Sequence, residues 1–168
     1  TCLCLLPTEA KAATVASGTC GENLAWTLDD QGTLTISGEG SMRWYSSSFL
    51  PPWHSNRDTI KAIVIENGVT GIGDYAFRGC TALRSVVIGS DVDRISSFAF
   101  VGCTALESIA LPENVTSLGN GVFKGCTALK SITIPDGVTG IGWYAFEGCT
   151  GLTHVTIGKS VAFIGRDA

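Results

Sequence analysis

From Ile60 onward the apolar positions recur every 23 residues and never lose phase. One column holds Ile60, Leu83, Leu106, Leu129 and Leu152. A second holds Ile63, Val86, Ile109, Ile132 and Val155, and a third Ile65, Ile88, Leu111, Ile134 and Ile157. The second and third columns flank one outward position, the alternation of a short strand with one buried face. The pattern predicts strands over 63–65, 86–88, 109–111, 132–134 and 155–157, stacked in register as a parallel sheet. Two further columns, Val69 to Val161 and Ile72 to Ile164, turn the chain back across the core. Phe77, Phe100, Phe123 and Phe146 fill that core from a predicted short helical turn. Asp74, Ser97 and Asn120 stand where an N-cap would sit, and Gly79, Gly102, Gly125 and Gly148 where a left-handed residue would close the turn.

A single unit of this kind has two apolar flanks and cannot fold alone, so the units must stack. The expected fold class is an α/β solenoid: a repeat stack with a parallel sheet on one face. The motifs YAFRGCTAL, FAFVGCTAL, GVFKGCTAL and YAFEGCTGL start at Tyr75, Phe98, Gly121 and Tyr144. Each is preceded by a block such as IVIENGVTGIG or ITIPDGVTGIG. Over Ile60 to Ala168 the chain resembles the BspA-like leucine-rich repeats, of the form I-x-I-P-x-x-V-T-x-I-G-x-x-A-F-x-G-C-x-x-L. It departs from the commoner leucine-rich repeat, whose strand is followed by an Asn or Cys ladder. Gly68, Asp91, Asn114, Gly137 and Ser160 stand there, and of these Asn114 alone suits the part. The resemblance implies a bacterial secreted or cell-surface protein. Its expected partner is a protein or surface glycan of a host or another microbe, and it implies no cofactor.

Four segments follow. Residues 1–12 read as a signal-peptide remnant, with small residues at Ala10 and Ala12 before a cleavage site at Ala13. Residues 13–22 read as a flexible leader. Residues 23–59 read as an N-terminal capping segment with a β-hairpin turned at Asp29-Asp30-Gln31-Gly32. Residues 60–168 hold four full repeats and a truncated fifth, and the sequence reads as a segment of a longer protein.

Charge removes several function classes. Eleven basic and 15 acidic residues give a net charge of −4, with the signs mixed along the chain. No basic run or stripe is present, so the electrostatic footprint of nucleic-acid binding is missing. No apolar run reaches the length of a bilayer-spanning helix.

Cys80, Cys103, Cys126 and Cys149 invite a metal or disulfide reading, but their 23-residue spacing lacks the close pairs of a zinc site. They are expected as a column of reduced, buried thiols, since equivalent side chains in a parallel stack point the same way. Cys20 has no evident partner. His54 and His154 are the two histidines, and neither has a neighbour suited to orient a general base, so no catalytic residue is expected. Binding is the remaining role. The outward strand positions are Ala62, Ser85, Ser108, Ser131 and His154, beside Val64, Val87, Ala110, Thr133 and Thr156. The candidate contact residues are Ser131, Thr133, His154 and Thr156 on that face, with Trp143 and Tyr144, where an aromatic replaces the capping residue. The alternative is a passive stalk, or the non-catalytic part of a larger surface protein.

Overall fold

The computed structural model describes residues 12–168. The expected signal remnant, with Cys2 and Cys4, falls on residues outside these apart from Ala12. The chain starts with three antiparallel strands: β1 (Thr14–Thr19), β2 (Asn23–Asp29) and β3 (Thr33–Ser41). A 3-10 helix, His54–Thr59, follows. The repeats supply β4 (Ala62–Ile65), β5 (Val69–Ile72), β6 (Ser85–Ile88), β7 (Arg94–Ile95) and β8 (Ser117–Leu118). They continue with β9 (Ser131–Thr133), β10 (Gly140–Ile141), β11 (His154–Thr156) and β12 (Phe163–Ile164).

The result is a β-solenoid of about four turns. Parallel pairing runs β3–β4–β6 along one face and β3–β5–β7–β8–β10–β12 along another, with β9–β11 forming a separate pair. The register is that of the sequence period: Ile63 sits beside Val86, and Ile132 beside Val155. Strand β3 serves both ladders, pairing with β4 through Thr33–Ile36 and with β5 through Gly40–Ser41. The bend between them needs Gly38, whose φ is +109° and where a Cβ would run into the Asn23 carbonyl oxygen.

Three expectations are corrected. Thr14–Thr19, expected within a flexible leader, forms an edge strand paired with Thr27, Trp26 and their neighbours. The third repeat lacks a full strand and keeps one bridge, Ser108 to Ser131. Its Ala110-Leu111 is a weaker strand former than the Val-Ile or Thr-Ile at the same place in repeats one, two and four. The third correction concerns the helical turn that made the fold α/β. No α-helix forms over 74–80 or its equivalents, because the backbone donors are used differently. The N–H groups of Tyr75, Phe77 and Gly79 donate to Ser97, Ala99 and Val101 in the next repeat. Those of Ala76, Arg78 and Cys80 turn inward to Gly73, Tyr75 and Phe77. Phe98, Phe100 and Gly102, then Gly121, Phe123 and Gly125, repeat the alternation. Turn stacks on turn by hydrogen bonds between repeats, where a helix would satisfy itself.

The same rule governs the side chains. Asp74, Ser97 and Asn120 do not cap their own turn. Their oxygens accept the backbone N–H of Ser97, Asn120 and Trp143, each 23 residues on, at 2.8, 3.2 and 2.8 Å. Gly79, Gly102, Gly125 and Gly148 do adopt positive φ, between +71° and +75°. Tyr75, Phe98 and Tyr144 also lie in the left-handed region, at +55° to +59°, a conformation costing roughly 1–2 kcal/mol per residue. Their N–H groups are held by the next repeat, and the Tyr75 and Phe98 rings stack at 5.0 Å.

The core is a column of rings. Phe77, Phe100, Phe123 and Phe146 follow one another at 5.3, 5.6 and 5.7 Å. Trp53 heads the column, stacked on Phe77 at 5.7 Å and donating Nε1–H to the Ala76 carbonyl. Beside it run the thiols. Cys103, Cys126 and Cys149 each donate S–H to the carbonyl of the Phe 26 residues before, at 3.1–3.2 Å. All four repeat cysteines and Cys20 are free and buried. Burial pushes the Cys80 and Cys126 thiols up to about 12 and Cys103 well above its ordinary range.

Candidate functional site

The outward positions of the strands face solvent from Ser85 to Thr156, and Val87 is 60% exposed. Strand alternation causes this: with Val86, Ile109 and Ile132 turned into the core, their neighbours must point out. Pairing of β9 with β11 sets His154 beside Ser131 and Thr156 beside Thr133. Four of the six candidate contact residues therefore form one exposed two-by-two patch. The His154 Nδ1 lies 3.0 Å from the Thr153 hydroxyl. Where repeat three fails to complete its strand, a groove of about 350 Å³ opens next to the patch. Ser108, Ala110, Glu113, Ser131 and Thr133 line it.

Trp143 and Tyr144 lie elsewhere, on the turn after β10. Trp143 is 52% exposed, and its backbone N–H is taken by Asn120. Its ring also covers Gly165 of the following repeat, where a Cβ would meet Trp143 Cδ1. Tyr144 is half-buried, with the Lys124 ammonium 5.3 Å from its ring centroid. The sequence places these two residues as a pair and the structure keeps them one, apart from the strand patch.

Ion pairs run along the stack rather than into a site. Lys124 meets Glu147 at 2.6 Å and Lys159 meets Asp136 at 2.7 Å, and Lys130 pairs with Glu107, each across one repeat. The Lys130 ammonium holds the Glu107 carboxyl below its usual range, and Lys159 does the same for Asp136. His54 bonds to Arg57, a cation, with 3.1 Å from Nε2 to Nη1. Among the described residues no group of three or more His, Cys, Asp or Glu is placed to hold a metal. None of their helices is long and apolar enough to cross a membrane.

A repeat stack of this register and core narrows the comparison to other repeat proteins. The sequence profile of the BspA type leucine rich repeat region matches residues 54–168, in six copies. The chain belongs to the BspA-type leucine-rich-repeat family. This family is generally non-catalytic, and leucine-rich-repeat proteins generally act in protein interaction. A leucine-rich repeat protein of Eubacterium ventriosum superposes with a TM-score of 0.78 at 34% identity, covering 89% of this chain and 40% of its own. The BspA-type chain thus spans well under half of that relative's length. The Treponema pallidum leucine-rich repeat protein aligns at TM-score 0.62 and 20% identity, over 89% of this chain and 82% of its own. The pneumococcal vaccine antigen PcpA aligns at TM-score 0.62 and 20% identity, over 87% and 35%. The last two share the fold. No protein of curated function matches the sequence.

The exposed aromatics before the repeats escaped the sequence reading. Trp44 is 65% exposed and Phe49 45%, against a segment expected to act as a cap. The signal was an aromatic pair flanking a Ser-rich turn, with no periodicity to measure it against.

Proposed function

We infer that the chain is a non-catalytic binding module of a secreted or cell-surface protein. Its strand face contacts a protein or surface glycan of a host or another microbe. The observation that carries this reading is the patch of Ser131, Thr133, His154 and Thr156 beside the groove at Ser108 and Ala110. It is exposed, rigidly spaced by parallel pairing, and free of Asp, Glu, Lys and Arg. In this reading β1–β3 cap the first repeat: Leu24, Trp26, Leu34 and Ile36 put apolar surface where the stack would otherwise be open. Trp143, a large exposed aromatic, serves as a secondary contact.

Thr133→Arg places a long charged side chain in the patch without touching the core, and Trp143→Ser removes the second contact. Both are compared with the parent for binding to immobilised matrix proteins and glycans, and for thermal stability. Loss of a parent interaction in Thr133→Arg at unchanged stability supports the strand face. An interaction kept at full strength by Thr133→Arg removes the patch from the site. A parent chain that binds no member of the panel leaves the passive stalk as the better description.

A further inference from the structure

Lys124, Lys130 and Lys159 of the later repeats are each matched by a carboxylate one repeat away; the cations around the first turn are not. In the column Ser55, Arg78, Val101, Lys124, Glu147, Lys124 finds Glu147, while Arg78 has Ser55 and Val101 as neighbours. Arg43 and Arg78 form no ion pair among the described residues. Arg57 has only Asp58, at 3.7 Å and itself 63% exposed. Arg57, Arg78 and His54 share one cleft of about 380 Å³ with Ser47, Leu50 and Gly79. On the other side of Leu50 a smaller cleft of about 210 Å³ holds Arg43 and Phe49.

The guanidinium groups are held before any ligand arrives. Arg57 Nη1 donates to the His54 carbonyl at 3.1 Å, and its side chain lies over Gly79, where a Cβ would be 3.8 Å from Cδ. The Arg78 guanidinium carbon sits 5.8 Å from the Tyr75 ring centroid. The ridge between the clefts is fixed too. Ser46 accepts the N–H groups of Ser48 and Phe49 through Oγ, and the Phe49 ring stacks on buried Tyr45 at 5.8 Å. Trp44 lies 5.9 Å from Phe49, tilted by 57°, with most of its surface open to water. A protein of net charge −4 thus presents two cationic clefts about a ridge of open aromatic faces.

We propose that this surface binds an acidic polysaccharide, with Arg57 and Arg78 taking a sugar carboxylate and Trp44 and Phe49 stacking on sugar faces. Planar guanidinium groups pair with carboxylates through two parallel hydrogen bonds, which suits uronic-type acids. Flat, fixed aromatic rings fit the C–H faces of successive sugars. The walls are side chains of a loop, of the 3-10 helix His54–Thr59 and of a turn. They present neither the strand edge nor the apolar helix groove through which peptides commonly dock. This site is separate from the strand face, and neither reading depends on the other.

Isothermal titration calorimetry on the whole chain tests it with three probes: an oligogalacturonate, its methyl-esterified form, and an oligoglutamate of equal charge. The oligogalacturonate is expected to bind with an affinity that falls as NaCl is added, and the ester is expected not to bind. Arg57→Gln and Arg78→Gln should each weaken binding roughly tenfold, the value of one charge-assisted hydrogen bond. Trp44→Ala should also weaken it. Arg84→Gln, an exposed arginine outside both clefts, should leave it unchanged, which separates this site from general charge. Thermal unfolding of each variant checks that the fold is intact. Absence of saturable oligogalacturonate binding overturns the proposal, as does full affinity in Arg78→Gln. Tighter binding of oligoglutamate than of oligogalacturonate also overturns it, in favour of an acidic peptide.

Discussion

Replacing Phe100 by alanine tests whether the stack behaves as a one-dimensional array. The ring is 0% exposed and lies 5.3 Å from Phe77 and 5.6 Å from Phe123. A buried Phe removes about 150–250 Å² from water, worth about 4–6 kcal/mol, of which the alanine methyl retains about 0.8 kcal/mol. Two ring contacts add about 0.5–1.5 kcal/mol each, and partial collapse of the void returns some of the total. Phe100→Ala should therefore cost about 4–5 kcal/mol. Phe146 is chemically the same residue, placed as the last ring of the column. It is half-buried and has one ring neighbour in the column, Phe123 at 5.7 Å. Phe146→Ala should cost about half as much. Urea unfolding followed by tryptophan fluorescence measures both. Hydrogen exchange at the Phe77 and Phe123 amides, which bond to Ala99 and Ala145, reports where each stack loosens. Equal costs for the two substitutions would refute the nearest-neighbour reasoning.

The buried thiols predict a one-sided pH dependence. The unfolded chain ionises its cysteines near 9, while Cys80 and Cys126 hold their protons to about 12 in the fold. Above 9 the folded state therefore binds more protons than the unfolded one. Stability is full below 9 and should fall by about 1.4 kcal/mol per pH unit for each such thiol up to about 12. Denaturation midpoints that stay flat from 9 to 11 would contradict this, as would thiol reagent labelling of these cysteines in the native protein. Asp74→Ala removes the acceptor of the Ser97 N–H, so that amide should exchange roughly fivefold to tenfold faster, for a bond worth about 1 kcal/mol. Unchanged exchange at Ser97 would show that the Asp74 contact does not protect it.

The period in the sequence was enough to give the strand register, the buried columns of the first four repeats and the left-handed glycines, because each of these repeats with the chain; in the fifth repeat Val155, Ile157 and Ile164 of the same columns are exposed. Two kinds of feature stayed out of reach. The caps were misassigned because Asp74 and Asn120 have partners 23 residues away, and helix-end rules look only a few residues along. The turn was taken for a helix for the same reason. Its spacing of Phe and Gly suits a helix end, yet its N–H groups are satisfied by the next repeat. Trp53 was missed as head of the ring column because it stands one residue out of phase, at 24 before Phe77 where the period asks for 23. Of the candidate site, the exposed strand positions were legible from alternation. The groove beside them was not, since it depends on one strand failing to form at Ala110-Leu111.

The bonds that join turn to turn also determine how the molecule would give way under tension. Backbone turns, Asp74 and Asn120, the thiols and the lysine–carboxylate pairs all connect a repeat to its immediate neighbour. Among the described residues a load applied along the axis has no longer-range tie to share it. The stack would peel from an end, one repeat after another, each step freeing 23 residues. That is roughly 75–80 Å of extended chain per step. An assembly of this kind yields gradually and lengthens greatly before it lets go.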